Sequence, residues 1–273
     1  MSRPLALSHA IAAEAFEALC QGRQIAPFSS RYDGFDLDAA YRVTAEVRAL
    51  RVARGERPVG RKIGFTNRTI WAEYDVWAPI WGYVYDCTVR DVAADGDAFS
   101  LAGLAEPRIE PEIVFGLAAA PAAGMDEAAL LGCIDWVAHG FEIVQSIFPG
   151  WKFSAADTVA AFGLHGALLI GPRRKVAPQF DEWLATLSSF EIDLLCDGAV
   201  AAHGLASDVL DGPLSALRHL VELLARQPAQ PPLSAGEVVT TGTLTRAMPM
   251  ARGRTWSTHL KGVALDGIRV QFA

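Results

Sequence analysis

Four side chains in three short segments carry the strongest chemical signal in this sequence. Arg108-Ile109-Glu110-Pro111-Glu112-Ile113-Val114-Phe115 reads as a strand, in which residues i and i+2 project from the same face. Glu110 and Glu112 then stand side by side, with Ile109, Ile113 and Phe115 on the opposite, buried face. Like charges that close repel unless water, a shared proton or a cation relieves them. Pro111 between them offers no ladder donor, so an edge or a bulge is expected there. A third carboxylate, Glu142, sits in His139-Gly140-Phe141-Glu142-Ile143-Val144, expected at the end of a helix from about Asp126 to Ala138. Three carboxylates with no Cys or His pair nearby suit a hard, water-retaining cation, Mg²⁺ or Mn²⁺, over zinc. A solvated glutamate pair on a strand face is the competing reading of the spacing alone.

The second segment is Gly60-Arg61-Lys62-Ile63-Gly64-Phe65-Thr66. Glycines at both ends of a short basic strand permit close backbone approach to a ligand. Lys62 alternates with Arg61, so one of the two cations is expected to point inward. A lysine partly buried beside carboxylates can shuttle protons or hold an enolate; a surface lysine is the bland alternative.

Helices and strands must position these groups. Ser8 is expected to cap a first helix, with Ile11, Ala12, Ala15, Phe16 and Leu19 on one face and Gly22 at its end. Asp36 or Asp38 caps a second, whose buried stripe is Ala40, Val43, Val47 and Leu50. From about residue 59, short apolar runs between glycines and prolines read as strands, interrupted by the Asp126–Ala138 helix and one from Leu214 to Arg226. The expected class is α+β: a helical N-terminal portion, 1–58, followed by a mixed, mainly β catalytic domain, 59–273.

Of the 273 residues, 51% are hydrophobic and 20% charged, a globular balance. A formal net charge of −7 with no basic run argues against nucleic-acid or anionic-membrane partners. No window of about 18 apolar residues occurs, and Ser8, His9, Glu14 and Glu17 interrupt the N-terminal apolar stretch where a signal-peptide core would be unbroken. Cys20, Cys87, Cys133 and Cys196 are scattered without a CxxC pair, which fits reduced thiols in a cytoplasm.

Several separated motifs, in order along nearly the whole chain, resemble the 2-oxopent-4-enoate hydratase and 4-oxalocrotonate decarboxylase family of the fumarylacetoacetate hydrolase-like superfamily. They are G-x-K-I-G-x-T at 60–66, Pro79 and Gly82, P-R-I-E-P-E-I at 107–113 and F-E-I-V-x-S at 141–146. W-K-F-x-x-x-D-T-V-A at 151–160, G-P-x-x-A-L at 212–217 and L-x-A-G-E-V-V-x-T-G at 233–242 complete the set. The resemblance implies a small N-terminal domain before a mixed β body, and a Mg²⁺ or Mn²⁺ ion held by Glu110, Glu112 and Glu142. It also implies that a small 2-oxo acid chelates the ion, that Lys62 moves protons, that Thr241 lies among the substrate contacts, and that the enzyme is a homo-oligomer. A Lewis acid on the 2-oxygen stabilises the enolate through which both hydration and decarboxylation pass.

The departures from the family pattern cluster around the expected site. Pro79-Ile80-Trp81-Gly82 carries an isoleucine where the family has an aspartate. Ala161-Phe162 replaces a polar pair, Leu164 a small hydroxyl, and Thr245-Arg246-Ala247-Met248-Pro249 a Gly-Pro turn. Ile80, Trp81 and Phe162 are therefore candidate apolar substrate contacts, Arg246 a grip for a distal carboxylate, and His165 a replacement acid/base. Trp71, Trp77, Trp81, Tyr83 and Tyr85 crowd one segment as lid, core or pocket wall. The leading expectation is a hydro-lyase of the 2-oxopent-4-enoate type in breakdown of an aromatic compound. Decarboxylation of a 2-oxo diacid, C–C hydrolysis and silent binding are the alternatives.

Overall fold

A computed structural model describes residues 3–72, 75–93 and 96–273. Its helices are α1 (Arg3–Gln21), α2 (Leu37–Ala53), α3 (Glu127–Gly132), α4 (Ala155–Ala160), α5 (Phe180–Thr186) and α6 (Pro213–Ala225). The strands are β1 (Pro58–Gly64), β2 (Ile80–Tyr85), β3 (Val89–Asp91), β4 (Asp97–Phe99), β5 (Arg108–Leu117), β6 (Ile134–Val144), β7 (His165–Ile170) and β8 (Arg174–Lys175). They continue with β9 (Glu191–Cys196), β10 (Ala199–Leu205), β11 (Val238–Thr240), β12 (Met248–Pro249), β13 (Thr255–Lys261) and β14 (Arg269–Phe272).

The N-terminal helices pack together and bury Ile11, Ala15, Val43 and Val47 against the body. α1 begins at Arg3, ahead of Ser8, so Ser8 is a buried residue within the helix and not its cap. Asp36 does cap α2, its carboxylate accepting from Ala39 N at 2.8 Å. The α+β expectation, helices first and then a sheet body, is met.

The larger sheet runs β2-β1-β11-β5-β6-β7-β3, with β12 beside β5 and β8 beside β6; the second runs β10-β9-β13-β14-β4. Leu194, Trp256, Val270 and Phe272 from the second sheet pack with Ile109, Phe141 and Leu169 from the first. Two helices, α4 and α5, and four strands, β4, β8, β12 and β13, lay outside the expected elements.

Two expectations at the site are corrected. The helix after Asp126 ends at Gly132, and Glu142 stands on the long strand β6. The apolar run from Ile134 favours a strand because its residues are shared between β5 on one side and β7 on the other. Pro111 is not on an edge, since β5 lies between β11 and β6. The ladder is open there in another way: β11 stops opposite Val114 and β12 resumes opposite Ile109. The missing proline donor thus falls where 241–247 leaves the sheet, tied to β5 by Thr241 N to Ile113 O at 3.1 Å and Leu244 N to Pro111 O at 2.8 Å.

Candidate active site

Strand register assembles the acidic cluster. Glu110 opposes Glu142 directly in the β5–β6 ladder, and alternation puts Glu112 on the same face as Glu110. One oxygen from each of the three carboxylates can be chosen so that all lie within 4.8 Å of one another. Glu112 and Glu142 are fully buried, while Glu110 reaches a cleft of about 800 Å³.

Lys62 enters from β1, buried, with Nζ 3.0 Å from Glu142 Oε2 and donating to Gly163 O at 3.1 Å. Arg61 is buried too, on the other face of the strand, over the Tyr83 ring at 3.9 Å. The expectation that only one of the two cations turns inward therefore fails: an aromatic shelf receives Arg61 and the acidic cluster receives Lys62.

The electrostatics divide the cluster. Burial alone would strip the Lys62 proton, but Glu142, Glu110 and Glu112 outweigh it and hold the ammonium above its usual range. Burial would likewise raise Glu142, yet Lys62 and His165 carry it down to about 2. At Glu110 and Glu112 the offset falls short: burial first, with the neighbouring carboxylates, outweighs Lys62 and pushes Glu110 up to about 7 and Glu112 well above its ordinary value. One ammonium does not balance three carboxylates.

A divalent cation fits this surplus. Glu112 Oε2 accepts from Gly242 N at 2.8 Å, but its buried Oε1 has no hydrogen-bond partner, an orphan that costs about 1–3 kcal/mol if left bare. An all-oxygen donor set suits a hard ion.

Ile80 and Arg246 line the cleft as expected. Trp81, Phe162, Thr241 and His165 do not, and each is placed by a packing reason. Trp81 is buried on the opposite face from Ile80, stacked on Tyr41 with centroids 5.2 Å apart. Phe162 faces a small cavity with Thr44, Val47 and Tyr85. Thr241 donates its hydroxyl to Ile113 O at 3.0 Å. His165 is 2% exposed behind Glu142, to which its Nδ1 lies 2.8 Å.

The turn before His165 forms one wall. Phe162, Gly163 and Leu164 all have positive φ, at 63°, 61° and 64°, a left-handed bend costly for the two residues with a Cβ. Leu164 N to Ala161 O at 2.8 Å and Gln145 N to Leu164 O at 2.8 Å hold it. The bend presents Gly163 O to Lys62 and Leu164 to the cleft.

Some cleft residues escaped the sequence reading. Thr66 is 2% exposed and lines the cleft, its Oγ1 without a hydrogen-bond partner. Arg108 lines it as well, its guanidinium 4.1 Å over the Trp151 ring. Each lay within a motif quoted above, but spacing did not say which members face the ligand.

No family model matches the chain. Curated relatives do. A 2-hydroxyhexa-2,4-dienoate hydratase of Comamonas testosteroni is 32% identical over 257 residues, 93% of this chain and 94% of the relative. This chain belongs to the 2-keto-4-pentenoate hydratase family. A 2-keto-4-pentenoate hydratase of Burkholderia vietnamiensis is 30% identical over 263 residues, covering 96% of each. Among solved structures, this hydratase-family chain matches 4-oxalocrotonate decarboxylase from Pseudomonas putida G7, complexed with magnesium and adipate, at TM-score 0.88 and 25% identity. That match covers 100% of this chain and 99% of the other. Fumarylpyruvate hydrolase from Pseudomonas aeruginosa, with Mn²⁺ and pyruvate, aligns at TM-score 0.58 and 15% identity over 80% of this chain and 89% of the other. The latter likeness shows the fumarylacetoacetate hydrolase-like fold alone. The hydratase-family chain is an enzyme of the lyase type.

Proposed function

We propose that the chain is a divalent-metal-dependent hydratase of a small 2-hydroxydienoate or unsaturated 2-oxo acid, with Glu110, Glu112 and Glu142 holding Mg²⁺ or Mn²⁺. The observation that carries this reading is three carboxylate oxygens within 4.8 Å of one another at the base of a cleft that Lys62 also lines. A cation bound there would act as a Lewis acid on the substrate's 2-oxygen and favour the enolate form.

The chain's own residues supply the rest. Lys62 donates one N–H to Gly163 O and is ion-paired with Glu142, which leaves donor capacity for the substrate. Kept as an ammonium by its acidic neighbours, it is a hydrogen-bond donor and an electrostatic partner for developing negative charge, not a base. Ile80, Val144, Phe153 and Leu164 give the cleft an apolar wall, suited to an unsaturated hydrocarbon tail. Thr66 borders that wall, buried and with its hydroxyl unpartnered.

A second reading, decarboxylation of a 2-oxo diacid, is favoured by one observation: Arg108 and Arg246 both line the same cleft. The division near residue 58, a homo-oligomer and a cytoplasmic setting belong to the proposal as well; the unpaired thiols support the last.

The test is a spectrophotometric screen of 2-hydroxydienoates and 2-oxo diacids with Mg²⁺ or Mn²⁺, wild type against Glu112→Gln. Turnover of a monoacid dienoate, lost by at least 100-fold in the variant, is expected. Equal rates in the two proteins would refute the assignment, and turnover confined to diacids would decide for the second reading.

A further inference from the structure

His165 is buried and away from the cleft, yet both its ring nitrogens are engaged. Nδ1 lies 2.8 Å from Glu142 Oε1 and Nε2 lies 2.8 Å from Thr88 Oγ1. Thr88 belongs to the short turn Asp86–Thr88 joining β2 to β3, and its hydroxyl also lies 2.8 Å from Tyr85 O. The line Glu142–His165–Thr88 thus runs away from the substrate side, into the frame of the sheet. Within the triad, Glu142 meets the His165 ring through Oε1 and is ion-paired with Lys62 through Oε2.

We infer that His165 and Thr88 act as positioning residues that fix the Glu142 carboxylate and thereby set the affinity of the glutamate triad for a divalent cation. The inference rests on the metal reading above and adds what that reading leaves open: which residues orient one of its ligands.

Proton placement argues for it. An ionised Glu142 only accepts, so the nitrogen facing it must carry hydrogen. Thr88 Oγ1, whose one O–H is donated to Tyr85 O, sits 2.8 Å from Nε2 and braces the far side of the ring. The ring, fixed at both nitrogens, holds the Glu142 carboxylate in one orientation. Without the hydroxyl the ring loses that brace and is free to turn away from the carboxylate. Partners of this kind around metal ligands typically change affinity by about 10–100-fold. The sequence offers no local sign of the device, because Thr88 and His165 are separated by 77 residues.

The experiment is calorimetric titration of the substrate-free protein with Mn²⁺, for wild type, His165→Phe, His165→Asn and Thr88→Val. Thermal midpoints without metal and the histidine ¹⁵N chemical shifts are recorded alongside. His165→Phe is expected to weaken Mn²⁺ binding by about 10–100-fold, and His165→Asn, which keeps a donor near the Nδ1 position, to recover most of it. Thr88→Val is expected to weaken it about tenfold and to change the His165 ring ¹⁵N shifts, as the contact at Nε2 is lost. All variants binding within twofold of wild type would overturn the inference. So would equal losses in His165→Phe and His165→Asn that follow their thermal midpoints. If His165→Phe does not fold, Thr88→Val decides alone by the same thresholds. A wild type that takes up no Mn²⁺ would overturn the metal reading itself and this inference with it, whereas normal uptake by every variant removes only the positioning role.

Discussion

Lys62 Nζ lies 3.0 Å from Glu142 Oε2, both side chains closed off from solvent, so the cation reaches the cleft already paired to a member of the acidic triad. A buried pair broken from one side leaves an uncompensated charge and is strongly destabilising, by about 3–5 kcal/mol. Lys62→Met is therefore expected to lower kcat by about 10²–10³-fold, the usual worth of one donor aimed at developing negative charge, and also to lower the thermal midpoint. Steady-state kinetics at saturating Mg²⁺ checks the first effect and calorimetry the second. A kcat within threefold of wild type would remove Lys62 from the chemistry.

Chelation should act on stability as well as on rate. The raised carboxyls of Glu110 and Glu112 mark acids buried first and crowded by one another second, and a cation that relieves them binds the folded chain alone. Saturation at 100 times the dissociation constant stabilises by about 2.7 kcal/mol. EDTA is expected to abolish turnover and lower the thermal midpoint, and Mn²⁺ to restore both. In Glu112→Gln the Mn²⁺-dependent rise in midpoint should shrink or vanish. An undiminished rise in that variant would place the ion elsewhere.

His139 gives a pH signature separate from catalysis. Its ring bridges Glu112 O at 3.0 Å and Thr258 Oγ1 at 2.8 Å, and burial lowers it from 6.5 to about 4. The folded chain keeps this ring neutral where the unfolded chain binds a proton. Its stability is therefore full above pH 6.5 and falls as pH drops from there to about 4, by about 3 kcal/mol. Urea unfolding of wild type and His139→Gln across that window is expected to show a shallower acid loss in the variant. The difference between the proteins isolates the ring, since the raised carboxyls act in the opposite sense in both. Parallel curves would contradict the assignment.

Gly242 admits no side chain. Its φ is +96°, and a Cβ there would come 1.8 Å from Thr66 Oγ1, while its N–H holds Glu112. Gly242→Ala is expected to cost about 3 kcal/mol from backbone strain and overlap, and to weaken Mn²⁺ binding by displacing the Glu112 donor. Urea midpoints and Mn²⁺ calorimetry report the two separately. A loss under about 0.5 kcal/mol, the range of neutral surface changes, would show that the loop gives way freely.

The acidic cluster was readable because strand alternation is a local rule: i and i+2 place Glu110 beside Glu112 with no knowledge of the rest. The Asp36 cap was readable for the same reason. Glu142 was found as a residue but set on the wrong element, because the capped start at Asp126 and the apolar residues beyond it fit a helix equally well. What separates the alternatives is the ladder with β5, a partner about thirty residues away along the chain. Trp81 was assigned to the cleft from its neighbour Ile80, yet consecutive strand residues face opposite ways, and the aromatic shelf under Arg61 claims it. His165 was singled out by type, but its role depends on Thr88 and on a depth behind the carboxylates that no spacing records.

The left-handed bend at 162–164 carries a tension of its own. Two of its three residues bear side chains in a backbone region that disfavours them, at about 1–2 kcal/mol apiece. A glycine at 164 would relax the backbone there but take a buried leucine out of the core, a loss of about 2–5 kcal/mol that outweighs the strain relieved. It would also remove the leucine that shapes the cleft and loosen the carbonyl steadying the ammonium of Lys62. At this bend, durability and reactivity draw on the same three residues, so a search for hardier variants will meet its resistance here first.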